Sequence, residues 1–272
     1  MVAGRFSAVS KLCSMNTEHR GTSMEYVLSL SYGKDSCACL GAIEQLGWPL
    51  DRIVHAEVWA TNTIPADPPP MVAFKSQADQ IIRDRWGLEV EHIRHKQSYD
   101  EMFHHVMQRG KHVGDIKGWP KTLGGWCKHL KMTDSLVGKG NVSYVGIAVD
   151  EPNRFHNLSA MTKSPLVEAG WTEAMCREWC ERNDLLSPIY TTSLRGGCWF
   201  CHCQPTDQLR LLRKNYPEYW RLMLQWDTES PTKFHPDGRT VHDYEKRFQM
   251  EEAGLIDPNK RFLWKTVDRA SN

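Results

Sequence analysis

The sequence predicts an α/β protein: a doubly wound parallel sheet followed by a C-terminal cysteine knuckle and a helical tail. Three observations carry that reading. Apolar runs of strand length alternate with helix-period segments from Tyr26 to Ile93 in the order β-α-β-α-β, which a parallel sheet with helices on both faces accommodates most economically. The first strand passes directly into Ser31-Tyr32-Gly33-Lys34-Asp35-Ser36 and a helix, a turn that presents free backbone N–H groups and a positive dipole end to one point. Cysteines gather late, in Gly197-Cys198-Trp199-Phe200-Cys201-His202-Cys203, where the Cys-x-x-Cys gap lets two thiolates face one metal.

Taken in order, Tyr26–Ser31 reads as a buried strand and 35–46 as a helix closed by Gly47 and Pro49. Residues 51–61, with Ile53, Val54, Ala56, Val58 and Ala60, suit a second parallel strand. The proline-rich stretch 65–70 is expected to break the chain before a helix over 71–86, which ends at Gly87 and feeds a strand over 88–93. Residues 97–125 hold a helix around 99–109 and several glycines, and read as an excursion over the carboxyl edge of the sheet. A helix over 127–137, a strand over 142–149, a helix over 171–183 and a cysteine-bearing loop over 191–205 follow, then helices over 208–215 and 218–226 and an irregular tail. Residues 1–23 are polar and aperiodic and read as a flexible extension with Cys13 as a bystander; 24–190 form the sheet domain and 191–272 the knuckle and helical region.

Composition narrows the class. Thirty-four Lys and Arg nearly balance 33 Asp and Glu, so bulk charge gives no footprint for nucleic acid, and Arg210, Arg213 and Lys214 read better as a solvated helix face than as a basic patch. No apolar run approaches the roughly 20 residues that span a bilayer and no signal-peptide core is visible, so a cytoplasmic protein without membrane partners is expected. Nine cysteines without a secretion signal favour metal or redox chemistry over structural disulfides. Most of the eleven tryptophans should be core, with base stacking open to a few, and the twelve histidines show no His-Glu-x-x-His spacing.

The opening loop suits an anion, and phosphate above others. A Walker-type loop is excluded, because Leu28 stands five positions before Gly33 and Asp35 follows Lys34. Gly33 permits close backbone approach, Lys34 supplies a point charge, and Ser31 and Ser36 offer hydroxyl donors; Asp35 either caps the helix or helps hold magnesium. A second feature, Asp150-Glu151-Pro152-Asn153-Arg154, falls at the carboxyl end of a strand, where active-site groups collect; the alternative is a surface ion pair. Third, Cys127, Cys180, Cys198 and Cys201 make a candidate four-thiolate metal site, with Cys203 competing with Cys180 and Cys176 one helical turn before it. A structural zinc knuckle and a metal-free Cys198/Cys201 dithiol are the other readings, and Cys37 and Cys39 read as packing residues.

Together these motifs resemble one family. The loop is similar to the Ser-x-Gly-Lys-Asp-Ser pyrophosphate loop of N-type ATP pyrophosphatases and phosphoadenosine phosphosulfate (PAPS) reductases. Trp126-Cys127-Lys128-His129-Leu130-Lys131 resembles a Trp-Cys-Thr-x-x-Leu-Lys element of cluster-bearing relatives, and Glu151 and Arg154 match a Glu-Ser-x-x-Arg segment in which Pro152 replaces Ser and Ala148 replaces an upstream Arg. The resemblance spans about Glu25 to Pro205. It implies a Rossmann-like adenine nucleotide α-hydrolase sheet binding ATP, less readily PAPS, with magnesium through Ser31, Tyr32, Gly33, Lys34, Asp35 and Ser36, and with Lys34, Glu151 and Arg154 as catalytic residues. It favours a 4Fe–4S cluster over zinc. The implied reaction is adenylation of a substrate with pyrophosphate release, for sulfur transfer from a donor such as a cysteine desulfurase to an acceptor such as a nucleic acid. No cysteine follows Cys203, so thioredoxin-coupled PAPS reduction is not expected, and the pattern looks closest to phage-borne and DNA-phosphorothioation-type members. The contrasting expectation is a non-catalytic nucleotide-sensing or partner-binding module with a zinc knuckle.

Overall fold

Five strands form one sheet in the computed structural model, which describes residues 24–121, 125–131, 136–191, 197–260, 262 and 264. They are β1 (Tyr26–Ser29), β2 (Arg52–Glu57), β3 (Val90–Arg94), β4 (Val142–Tyr144) and β5 (Thr162–Lys163), all parallel, in the order β3-β2-β1-β4-β5. The chain steps outward from β1 through β2 to β3, then returns to the other side of β1. That reversal opens a crevice beyond the carboxyl ends of β1 and β4, the place where open α/β sheets bind ligands. The extension 1–23, with Cys13, lies outside the described residues.

Strand alternation sorts the sheet residues into two layers. Leu28, Ile53 and Tyr144 pack under α1 (Lys34–Leu46), α2 (Pro69–Trp86) and a helix over Glu173–Arg182, while Val27 and Val54 point the other way, onto Leu136. Gly41 lets α1 lie against that last helix: a Cβ there would stand 2.4 Å from the Trp179 ring. The prolines expected to break the chain instead begin α2, with Pro68 as its N-cap and Pro69 and Pro70 in the first turn. The N–H that proline lacks has no intrahelical acceptor there.

Several other boundaries differ from the sequence expectation. The helix around 99–109 is only α3 (Tyr99–Phe103), set by a reciprocal cap between Ser98 and Glu101. Residues 126–131 form a 3₁₀ turn, not the start of an α-helix, and 132–135 lie outside the described residues. β4 stops at Tyr144, and the rest of the expected strand leaves the sheet toward the crevice. Short helices α4 (Pro152–Phe155) and α5 (Pro165–Glu168) precede α6 (Glu173–Arg182), and the tail holds α7 (Thr206–Asn215), α8 (Pro217–Glu229) and α9 (Val241–Glu252).

A second core joins the excursion to the tail. Tyr99, Phe103 and Trp119 pack with Trp199, Phe200, Trp220, Trp226, Phe234, Tyr244 and Phe248. The buried indoles keep polar partners: Trp226 donates to Asp100 at 2.7 Å, Trp119 to Asp227 at 3.0 Å and Trp220 to Glu245 at 2.6 Å. These tryptophans are structural, so base stacking does not fall to them. Arg210 pairs with Glu251 at 2.6 Å and Arg213 with Glu245 at 2.8 Å, so both guanidiniums are neutralised against α9. No helix among the described residues is long and apolar enough to cross a membrane.

Candidate functional site

After β1 the chain turns at Tyr32, whose φ of 56° is left-handed, and enters α1 through Gly33. A bulky residue at positive φ needs an anchor. The Tyr32 ring is buried, and its hydroxyl hydrogen-bonds Asp79 and, at 3.1 Å, His92 Nε2. His92 also contacts Glu57 at 2.9 Å and Asp79 at 2.9 Å. Hydrogen bonds to Asp79 and Glu57 raise the His92 pKa to about 9, and the bond from His92 lowers that of Glu57 to about 2. The His92 contribution is therefore fully present below its ordinary 6.5 and lost as pH rises through about 9; that of Glu57 is present above 4.5 and lost as pH falls through about 2. His92→Gln is expected to cost about 1 to 2 kcal/mol near pH 6 and to flatten the fall in melting temperature between pH 6.5 and 9. An unchanged profile in the variant would remove His92 from the anchor.

The loop donors carry protein acceptors. Ser31 N–H donates to Ser36 Oγ at 3.1 Å, the two hydroxyls share a hydrogen bond at 3.0 Å, and Ser36 Oγ donates to the Gly33 carbonyl at 2.9 Å. Lys34 N–H donates to the Tyr190 hydroxyl at 3.0 Å, and Lys34 Nζ bridges Asp35 at 2.7 Å and Glu173 at 3.0 Å. Burial lowers the Lys34 pKa, but the bonds to Asp35 and Glu173 outweigh it and the net shift is upward. Burial raises Asp35, against the pull of Lys34.

Glu151 joins this group. Carboxylate oxygens of Asp35, Glu151 and Glu173 lie within 4.8 Å of one another, a donor set of the hard-oxygen kind that suits magnesium. Arg154 donates to both oxygens of Glu151, at 2.7 and 2.8 Å, from an exposed position. Sequence reasoning missed Glu173, which opens α6 and is brought to Lys34 only by the packing of α6 on α1; Asp150, part of the charged segment singled out after the strand, accepts the Glu173 N–H at 3.1 Å. No local pattern in the chain marks Glu173.

Beside the loop lies a cavity of about 660 Å³. Ser31, Tyr32 and Gly33 line one part of it, His55, Asp67 and Lys75 another, and Cys198 and Trp199 a third. Cys127 and Cys198 pack against the aromatic core, and Cys201 lies near enough to both to help raise their thiol pKa values. Burial pushes the Cys198 thiol up to about 12, with Lys131 opposing. Cys201, His202 and Cys203 place their ligand atoms within 4.8 Å of one another. The structure thus brings Cys201, His202 and Cys203 within ligand distance of one another, with Cys127 and Cys198 in their electrostatic neighbourhood.

Cys180 is not brought to that set. Its thiol donates to the Lys34 carbonyl at 3.1 Å, and it is buried in the sheet-side core with Cys37, Cys39 and Cys176. The reason is helical phase: Cys176 and Cys180 form the buried stripe of α6, which faces α1. None of the eight cysteines among the described residues is in a disulfide.

No protein-family model and no curated protein sequence matches this chain. Among solved structures, the U34-tRNA thiolase NcsA from Methanococcus maripaludis with its 4Fe–4S cluster aligns over 88% of this chain and 84% of that chain, at 12% identity and a TM-score of 0.34. That score is below the level at which two chains share an overall fold, so the α/β assignment rests on the sheet order and strand direction of the protein itself.

Proposed function

We propose that the protein is a nucleotide-activating enzyme that adenylates a substrate oxygen with ATP, releases pyrophosphate, and so prepares the substrate for sulfur transfer. The observation that carries this reading is the shared cavity, which is lined both by the Ser31–Gly33 loop and by Cys198. A phosphate site and a thiol site opening on one chamber suit a reaction that needs both.

In the proposed sequence a substrate oxygen attacks the α-phosphorus, the bond from α-phosphorus to the bridging oxygen breaks, and pyrophosphate leaves with the electron pair. Lys34 and the loop N–H groups stabilise the charge on the departing pyrophosphate, exchanging their protein acceptors for phosphate oxygens. Asp35, Glu151 and Glu173 would hold magnesium, and Arg154 orients Glu151. A hydrosulfide-level sulfur nucleophile then displaces AMP, which departs with the activated oxygen. Cys127, Cys198 and Cys201 are the residues that would hold an iron–sulfur cluster, whose contribution is an iron position that can bind such a sulfur. A cysteine desulfurase as sulfur donor and a nucleic acid as acceptor are the partners the sequence resemblance implies.

Gly33 supplies the test. Its φ of −76° suits any residue, and a Cβ there would meet only Ser31 Oγ and the Tyr190 hydroxyl, both at 3.5 Å, an ordinary contact. The fold therefore does not require glycine, whereas a phosphate lying on the loop does. Gly33→Ala is expected to unfold within about 0.5 kcal/mol of the parent and yet bind ATP at least about tenfold more weakly. Lys34→Ala should slow pyrophosphate release by about 10² to 10³. Parent protein that binds neither ATP nor pyrophosphate would refute the reading.

A further inference from the structure

Lys75 is 8% exposed and its ammonium lies in the cavity wall, a costly place for a charge that serves only as a tether. Its partners fix the local protonation pattern. His55 Nδ1 lies 2.8 Å from the Leu30 carbonyl, which can only accept, so Nδ1 carries the proton; Nε2 lies 2.8 Å from Lys75 Nζ, which can only donate, so Nε2 accepts. His55 is thus the neutral imidazole, in keeping with a pKa that burial, with Lys75 beside it, lowers to about 4. Lys75 donates a second proton to Asp67 Oδ2 at 2.6 Å. One ammonium proton and the Asp67 Oδ1 lone pairs have no hydrogen-bond partner among the described residues, although the ammonium also sits 5.3 Å from the centre of the Tyr32 ring.

The result is a donor next to an acceptor on the wall of a chamber whose neighbouring surface is apolar: Leu30, Ala56, Met71 and Ile189. A flat ring with an acceptor beside a donor on one edge complements that wall. Adenine has such an edge, with N1 accepting and the N6 amino group donating. We propose that Lys75 and Asp67 read the base of the nucleotide, with Lys75 donating to N1 and Asp67 accepting from N6, while His55 holds the Lys75 ammonium in place from the strand that adjoins the loop. This inference rests on the loop binding the phosphates of the same nucleotide. Hypoxanthine reverses the edge, presenting O6 as acceptor and N1–H as donor, so at a fixed ring position it meets donor with donor and acceptor with acceptor. Unmatched buried polar groups discriminate strongly.

Calorimetric titration of pyrophosphate, ATP and inosine triphosphate into the full chain, Lys75→Met and Asp67→Asn tests it. Lys75→Met keeps the apolar stem, Asp67→Asn keeps the shape, and melting temperatures report folding. The parent is expected to prefer ATP over inosine triphosphate by about tenfold or more. Both variants should bind pyrophosphate as the parent does and lose most of the ATP preference. Equal affinity of the parent for the two nucleotides overturns the proposal, as do folded variants that keep the parental preference, which would make the ion pair purely structural. A parent that binds pyrophosphate without choosing between bases sinks this inference alone; one that binds no pyrophosphate sinks the phosphate-loop reading and this inference with it.

Discussion

Gly146→Ala is expected to destabilise the protein by about 3 kcal/mol or more and to remove nucleotide binding with it. A Cβ at this position would lie 2.5 Å from Ser36 N, 2.6 Å from the Asp35 carbonyl carbon and 2.8 Å from Ser36 Cα. All three are backbone atoms of the first turn of α1, so no side chain can rotate away, and relief requires the segment after β4 to part from the helix. Overpacking that a core can absorb costs about 1 to 3 kcal/mol, and a backbone collision belongs at the upper end or above it. The same displacement would disturb Ser36 Oγ, which both Ser31 and Gly33 use, and Ala148, whose N–H holds Glu151 at 3.3 Å. Urea denaturation with parallel ATP titration measures both effects. Gly33→Ala is the matched control, because it adds the same methyl group where the fold has room. A Gly146→Ala protein with parental stability and affinity would mean that the segment after β4 and α1 do not meet as described.

What the sequence could and could not reveal follows from the range of the interactions involved. The strand–turn–helix at 26–46 was legible because everything it needs is local: an apolar strand, Gly33, and a helix that starts at once. The parallel sheet was legible because alternating strand and helix leave few topologies. Glu173 was invisible, since its relation to Lys34 spans 139 residues of separation and exists only because α6 packs on α1. The end of β4 is hidden for a related reason: 142–149 is apolar enough for a longer strand, but the chain leaves the sheet after Tyr144 and Gly146 meets the first turn of α1. Pro69 and Pro70 look like breakers in the sequence, although proline in a first helical turn removes only a donor that has no intrahelical acceptor. α9 does carry a local signal, the Thr240-x-x-Asp243 pattern, which the structure shows as a reciprocal cap. Cys180 is the instructive case, because its spacing from Cys198 looked serviceable while its helical phase with Cys176 already pointed to a buried stripe.

Serine substitution across the cysteines should therefore divide them into two groups. Cys127→Ser, Cys198→Ser and Cys201→Ser are each expected to lower the metal content of anaerobically purified protein at least about tenfold, since removing a ligand does more harm than removing the outer partners of one, for which about 10- to 100-fold losses are usual. Cys180→Ser should retain the parental metal content. Its thiol donates to the Lys34 carbonyl, a serine hydroxyl can do the same, and the site faces α1, where Cys37 and Cys39 also pack. Any change in that variant should appear in ATP affinity, through Lys34, and not in iron. Cys203→Ser against His202→Ala then identifies the fourth ligand, because both residues have ligand atoms within 4.8 Å of Cys201. Iron analysis with visible absorption separates a cluster from zinc: a brown protein losing its band in the first three variants supports the cluster, and a colourless protein losing one zinc in the same three makes the set a structural knuckle. Loss of metal from Cys180→Ser to the extent seen in Cys198→Ser would contradict the arrangement, since it would place in one coordination sphere two residues that the structure assigns to separate cores.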